Sequence, residues 1–316
     1  MKKALIFLTI LLLISSFITG CTPNSKEVKK DSGKLTVYTT VYPLQYFTKR
    51  IAGDLVTVDT IYPAGADEHT FEPSQRDMMT LADADLFFYI GLGLEGFVEK
   101  AKSTLKNEDV TLVAVGEHLN LEHENETEKE DDDIQENEHE HGDIDPHVWL
   151  DPIYANELAM SIKDSLIKEI PDKAKTFEAN YQKLSEELTQ LNSSFETTIT
   201  NAKQKDIIVS HSAFGYWEKR YGLHQISISG LSTATEPSQK DLEDIVKVAK
   251  EKNLNYIFFE QNTSPKLGKI LQDEIGAKPL TLHNLATLTE ADLQNNETYF
   301  TLMNKNLQSI SKALSE

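Results

Sequence analysis

Glu72-Pro73-Ser74-Gln75-Arg76-Asp77 and Glu236-Pro237-Ser238-Gln239-Lys240-Asp241 are near-copies of one hexapeptide, and their setting decides the fold. Each carries Ser-x-x-Asp, a capping-box variant in which both side chains can satisfy amides at a helix start. Each is followed at a similar distance by an aromatic strand pattern, Asp85-Leu86-Phe87-Phe88-Tyr89 in the first half and Asn255-Tyr256-Ile257-Phe258-Phe259 in the second. A shared hexapeptide alone carries little. The shared order of strand, capped helix and aromatic strand reads as two related α/β lobes.

Outward from the repeat, runs rich in Val, Ile, Phe and Tyr alternate with helical patterns, the signature of parallel βα units. Expected strands are Leu35–Thr40, Val56–Tyr62, Asp85–Ile90 and Thr111–Val115, then Asp206–Ser210, Gln225–Ser229, Tyr256–Glu260 and Lys278–Leu282. Between the halves, Ala174, Phe177, Tyr181, Leu184, Leu188, Leu191, Phe195, Ile199 and Ala202 recur every three or four residues, with no Gly or Pro after Pro171. At 1.5 Å per residue this predicts a helix of about 45 Å, a rigid strut that limits hinge motion between the lobes. Its apolar stripe is core packing rather than a ligand groove. The expected organisation is a first lobe over 34–171, a connecting helix over 172–202 and a second lobe over 203–316.

The 316 residues, 39% of them hydrophobic, suffice for a core in each lobe. A single cysteine excludes an intramolecular disulfide framework, a multi-cysteine zinc ribbon and an iron–sulfur cluster. A net charge of −20 argues against a nucleic-acid partner, which requires a basic face.

The N-terminus lies outside the fold. Lys2 and Lys3 precede an apolar run from Ala4 to Ile18, too short and wrongly flanked for a spanning helix, so residues 1–20 read as a signal peptide. The run closes on Ile18-Thr19-Gly20-Cys21, placing the one cysteine at the cleavage point. This is similar to the lipobox of bacterial lipoproteins, in which the mature chain begins at a lipid-bearing cysteine. Polar residues up to Gly33 suit a tether, giving 21–33 as the linker to the membrane. Loss of the two lysines brings the mature charge to −22.

The acidic excess is local. From Glu117 to Asp145 there are fourteen Asp or Glu, four His and one Lys, a charge of −13 in 29 residues, which leaves −9 for the rest of the mature chain. Such a segment cannot bury enough apolar surface to offset its ordering entropy, and a disordered insertion over 117–145 is expected. It is either a solvated spacer or, through His118, His123, His139 and His141, a weak and exchangeable collector of Zn²⁺-like cations; the composition favours capture.

The other histidines cluster at strand ends, where open parallel sheets bind ligands. His211 follows Asp206–Ser210, His283 follows Lys278–Leu282, His69 lies between Val56–Tyr62 and the Ser74 cap, and His147 follows the acidic insertion. Four in comparable places on two lobes point to a shared metal site. His224, ahead of a strand, reads as structural.

Three blocks sharpen this. Asp67-Glu68-His69-Thr70-Phe71-Glu72-Pro73-Ser74, Asp145-Pro146-His147-Val148-Trp149-Leu150-Asp151-Pro152 and Ser210-His211-Ser212-Ala213-Phe214-Gly215-Tyr216 resemble segments of the metal-binding lipoproteins that serve zinc and manganese ABC transporters. The resemblance spans nearly all of the mature chain, including lipobox, His/acid loop, strut helix and Gly230-Leu231…Glu236-Pro237-Ser238. It implies two α/β lobes joined by a long helix, with metal in the cleft between them. It also implies His69, His147 and His211 as ligands. Three imidazoles suit Zn²⁺, whereas manganese members carry a carboxylate at the third place.

The fourth position departs from the family. Zinc members often have Asn or Asp followed three residues later by Glu, where this chain reads His283-Asn284-Leu285-Ala286. Ala286 cannot ligate. His283 is the expected fourth ligand because it closes a tetrahedral site, with Glu68 or water as alternatives.

The resulting expectation is extracytoplasmic zinc capture and delivery to an ABC permease and its ATPase, by a monomer lipid-anchored on a Gram-positive surface. Alternatives are a manganese or iron binding protein of the same transporter type and a surface adhesin. Three histidines plus water would also make a catalytic zinc site. The chain has no HExxH, no GxSxG and no evident general base, so an enzyme is not expected.

Overall fold

In the computed structural model the described residues are 33–121, 144–232, 237–261 and 266–315. The signal segment, Cys21, Glu236 of the second hexapeptide, and His123, His139 and His141 lie outside them. Among the described residues no helix is long and apolar enough to cross a membrane.

Strands β1 (Leu35–Thr39), β2 (Val56–Thr60), β3 (Leu86–Tyr89) and β4 (Thr111–Ala114) form one parallel sheet in the order β2-β1-β3-β4. Strands β5 (Asp206–His211), β6 (His224–Ser229), β7 (Tyr256–Phe259) and β8 (Lys278–Thr281) form a second, in the order β6-β5-β7-β8. The two orders are the same topology repeated, as the hexapeptide implies. Both reverse direction of build between the first and third strands, the place where such sheets bind ligands.

Helices α1 (Tyr42–Ala52), α2 (Gln75–Ala82) and α3 (Val98–Thr104) belong to the first sheet; α6 (Gly215–Tyr221), α7 (Gln239–Glu251) and α8 (Lys266–Ile275) belong to the second. Ser74 and Ser238 form the expected capping boxes, with Asp77 and Asp241 returning to the cap amides.

The connection is wider than a single strut. Helix α4 (Pro152–Glu169) runs before α5 (Ala174–Thr200), and the two pack along each other. Asp151 caps α4 by accepting from Ile153 N and Tyr154 N, and Pro152 occupies the first turn, where a missing N–H costs nothing. The stripe of α5, Phe177, Leu184, Leu188, Leu191, Phe195 and Ile199, is buried against α1, α4, α6 and α10 (Tyr299–Ser315). Each such side chain contributes about 1.5–3 kcal/mol of burial.

One apolar core therefore runs from the first sheet through α4 and α5 to the inner face of the second. A smaller separate cluster, Ile208, Ile228, Ile245, Ala249, Leu254, Ile257, Leu271 and Ala277, lies under α7 and α8.

The lobes are stitched along residues 145–151. Tyr216 Oη donates to Asp145 O at 2.5 Å, Trp217 Nε1 to Leu150 O at 2.8 Å, and Tyr299 Oη to Trp149 O at 2.8 Å. Trp149 Nε1 donates in return to Asn284 O at 2.7 Å, and Arg220 pairs with Asp151. At Gly215 an added Cβ would fall 2.7 Å from Asp145 Oδ2, so the approach of this segment to α6 requires glycine there.

Candidate metal centre

Glu68, His69, His147 and His211 each place one ligand atom within 4.8 Å of the others. The three imidazole centroids form a nearly equilateral triangle, 5.0, 5.1 and 5.6 Å on a side.

Each side chain is held by its own local device. His69 sits in the turn after β2, where Asp67 Oδ1 accepts from His69 N and Thr70 N, both at 3.0 Å, an Asx-type turn that Asp favours. That turn is tied to the second lobe by Thr287 Oγ1, which donates to Ala66 O at 2.9 Å, and by Gly65 N, which donates to Leu288 O at 3.1 Å. His147 is fully buried; Asp145 Oδ1 receives both its backbone N–H at 2.9 Å and its Nδ1–H at 2.8 Å. His211 ends β5 at the reversal point of the second sheet, and its Nδ1 bonds Glu260, just beyond β7. Ser210 Oγ donates to the same Glu260 oxygen at 2.8 Å.

The carboxylates on Nδ1 set the tautomers. With that nitrogen donating, His147 and His211 each present a bare Nε2 lone pair to the centre. These two Nε2 atoms stand 3.2 Å apart, and His147 Nε2 is also 3.2 Å from His69 Nε2. Lone pairs this close require a cation or a shared proton between them. Nitrogens on a tetrahedral ion with bonds of 2.0–2.1 Å lie about 3.4 Å apart, so the spacing matches a Zn²⁺ shell with little adjustment.

Electrostatics agree. Burial and the two neighbouring imidazoles pull His69 down to about 4, which keeps it neutral and able to ligate at ordinary pH. Burial also works against a charge on His211, but Glu260 and the hydrogen bond to it prevail and raise it. Glu260 is held low despite burial by His211 and Ser210. Glu68, 4% exposed, is pushed up by burial to about 8. A divalent ion would reverse that preference and draw out the carboxylate.

His283 is not brought to this cluster, against the expectation from its strand-end position. Its Nδ1 accepts from Leu285 N at 2.9 Å and its Nε2 faces Asp292 Oδ2 at 3.1 Å, so both ring nitrogens are engaged on the side of α9 (Glu290–Gln294). Asn306 of α10 clamps its main chain through N and O. Glu68, the alternative, is the fourth member of the cluster. His224 opens β6 and is exposed; His118 is exposed and apart from the cluster.

Asp145, Glu260 and Asn284 were not singled out by the sequence. A signal existed for two of them: Asp145 stands two residues before a ligand-type histidine, and Glu260 closes the strand beside the reversal point. Asn284 carried none.

The chain matches a family model described as zinc-uptake complex component A, periplasmic, over residues 37–313. It is 38% identical over 313 residues to the zinc-binding lipoprotein AdcA of Streptococcus pneumoniae, covering 99% of this chain and 61% of that protein. The chain thus spans under two thirds of that relative's length. To the high-affinity zinc uptake system protein ZnuA of Bacillus subtilis it is 35% identical over 303 residues, covering 96% of this chain and 94% of that one. The crystal structure of the Zn(II)-bound ZnuA-like domain of S. pneumoniae AdcA aligns with a TM-score of 0.75 at 36% identity, covering 90% of this chain and all of that one.

Proposed function

The chain belongs to the zinc-uptake complex component A family, and from that membership we propose that it captures Zn²⁺ outside the cytoplasm and hands it to an ABC permease driven by an ATPase. His69, His147, His211 and Glu68 hold the ion. The observation that carries this is the pair of Nε2 atoms of His147 and His211, 3.2 Å apart, with Asp145 and Glu260 on the opposite nitrogens. Three nitrogens and one carboxylate oxygen favour zinc over manganese, which takes more oxygen ligands.

Four protein ligands fill a tetrahedral shell and leave no open position for an activated water, so the site suits binding and release rather than hydrolysis. Zinc entry displaces the proton that burial keeps on Glu68, and protonation of the imidazoles returns the ion. The chain reaches the membrane through lipid on Cys21, and the acidic, histidine-bearing insertion gathers cations for delivery to the site.

Zinc titration of the purified, metal-stripped protein against a chelator of known affinity tests the reading. One tightly bound Zn²⁺ per chain, at sub-micromolar dissociation constant, with no hydrolase activity, is expected. A chain that takes no zinc, or prefers Mn²⁺ at equal concentration, overturns it. Zinc-rescued growth of a deletion strain under chelation then ties binding to uptake.

A further inference from the structure

The side-chain amide of Asn284 joins the two halves of the site. Asn284 is 4% exposed. Its Nδ2 donates to Glu68 Oε1 of the first lobe at 2.9 Å and to Glu260 Oε2 of the second at 2.7 Å. Its Oδ1 accepts from Gln261 Nε2 at 2.8 Å and from Ala286 N at 3.1 Å. Two donors on Oδ1 fix the orientation of the amide, so both of its N–H groups must face the carboxylates.

We infer that Asn284 is the positioning residue for Glu68, holding it at the fourth corner of the centre and coupling it to the Glu260–His211 pair. This rests on the zinc reading of the site with Glu68 as a ligand. Two buried carboxylates brought to one amide from different lobes repel each other, and the amide between them offsets that repulsion without adding charge. It also keeps one Glu68 oxygen engaged, so the carboxylate loses less rotational freedom when zinc arrives. Glu260 receives its bond from the same nitrogen, so placement of Glu68 and orientation of His211 depend on a single group.

The main-chain bonds of Asn284, Trp149 Nε1 to its O and its N to Gln261 Oε1, do not involve the amide. Asn284→Ala and the isosteric Asn284→Asp therefore keep the tie between lobes while removing the donor, and melting of the metal-free proteins checks that they fold.

The test is a double-mutant cycle with Glu68→Gln, read by zinc affinity from chelator competition and by the visible absorption of bound Co²⁺, which reports coordination number. Asn284→Ala should weaken zinc about 10- to 100-fold, as loss of an outer-shell partner does, and Asn284→Asp at least as much. In the Glu68→Gln background, Asn284→Ala should add a clearly smaller loss, because the part that acts through Glu68 is already gone and only the part through Glu260 and His211 remains. The Co²⁺ spectrum of Asn284→Ala should move to that of Glu68→Gln. Equal losses in both backgrounds, or no loss in either, overturn the role of Asn284 while wild-type zinc binding stands. A wild-type chain that binds no zinc overturns both readings.

Discussion

Trp149 of the first lobe donates its indole N–H to the carbonyl of Asn284 in the second at 2.7 Å, and the ring stands 5.3 Å from the imidazole of His147. The bond lies two residues from His147 and ends on the residue whose side chain reaches Glu68. The lobes are therefore locked at the site itself.

Trp149→Phe should cost about 2 kcal/mol of stability, since a buried carbonyl loses its donor and the smaller ring leaves space. Chemical denaturation of the metal-free protein measures this. A variant as stable as wild type would show that the lobes are joined elsewhere.

His283→Ala should lower the melting temperature yet leave zinc affinity within about threefold, because His283 bonds Asp292 and Leu285 rather than the centre. His211→Ala should weaken zinc by at least about 100-fold, removing both a ligand and the partner of Glu260. Comparable zinc losses in the two variants would return His283 to the site.

The contrast shows where sequence reading stops. Both histidines follow a strand of the second sheet, and topology alone ranks them together. What separates them is local: the Leu285 amide takes one nitrogen of His283 and Asp292 faces the other, a pairing set by a turn and a short helix with no periodic signal. The repeat built on Ser74 and Ser238 was legible because caps and aromatic strands are local chemistry. Helix α4 was missed because alanines, Ala155 and Ala159, supply part of its buried face and dilute its stripe. Its cap, Asp151, falls inside the block that carries His147 and is masked by it in the sequence. Glu68 and Asn284 stand 216 positions apart, and their contact exists only once the lobes have met.

Glu260→Gln should weaken zinc about 10- to 100-fold at neutral pH, since His211 loses the anion that fixes its tautomer and raises its basicity. The weaker site yields its ion to protons sooner, so zinc retained by the variant should leave at higher pH than in wild type. Zinc occupancy followed by dialysis across pH 4 to 8 checks both effects. A release midpoint that stays at the wild-type value would contradict the assignment.

The metal-free protein should hold its stability between about pH 4.5 and 6.5, where two buried groups compensate, and lose it above 6.5. His69 is pulled from 6.5 to about 4, so between those values the unfolded chain binds a proton that the folded chain does not. Stability from this group is present above 6.5 and is lost as pH falls towards 4, by about 3 kcal/mol at 1.36 kcal/mol per unit. Glu68 runs the other way. Its value rises from 4.5 to about 8, so the folded chain keeps a proton that the unfolded chain has released, and stability falls as pH rises. From 6.5 to 8 His69 no longer offsets this, and about 2 kcal/mol is lost. Thermal melts in chelator should show the alkaline decline, Glu68→Gln should abolish it, and zinc should remove it. An alkaline slope that persists in Glu68→Gln would assign it to another group.

The continuity of the apolar core has a consequence for resistance to proteolysis. Both lobes share one core through α4 and α5, so exposing a cleavable segment there means opening most of the molecule at once. The layer formed by α7 and α8 rests on its own small cluster and can open by itself. Among the described elements, α7 and α8 should therefore be nicked by an added protease far sooner than the segment carrying His147, and bound zinc should protect the second much more than the first. Durability is thus concentrated around the candidate metal centre, and the outer face of the second lobe is the part of the molecule that wears.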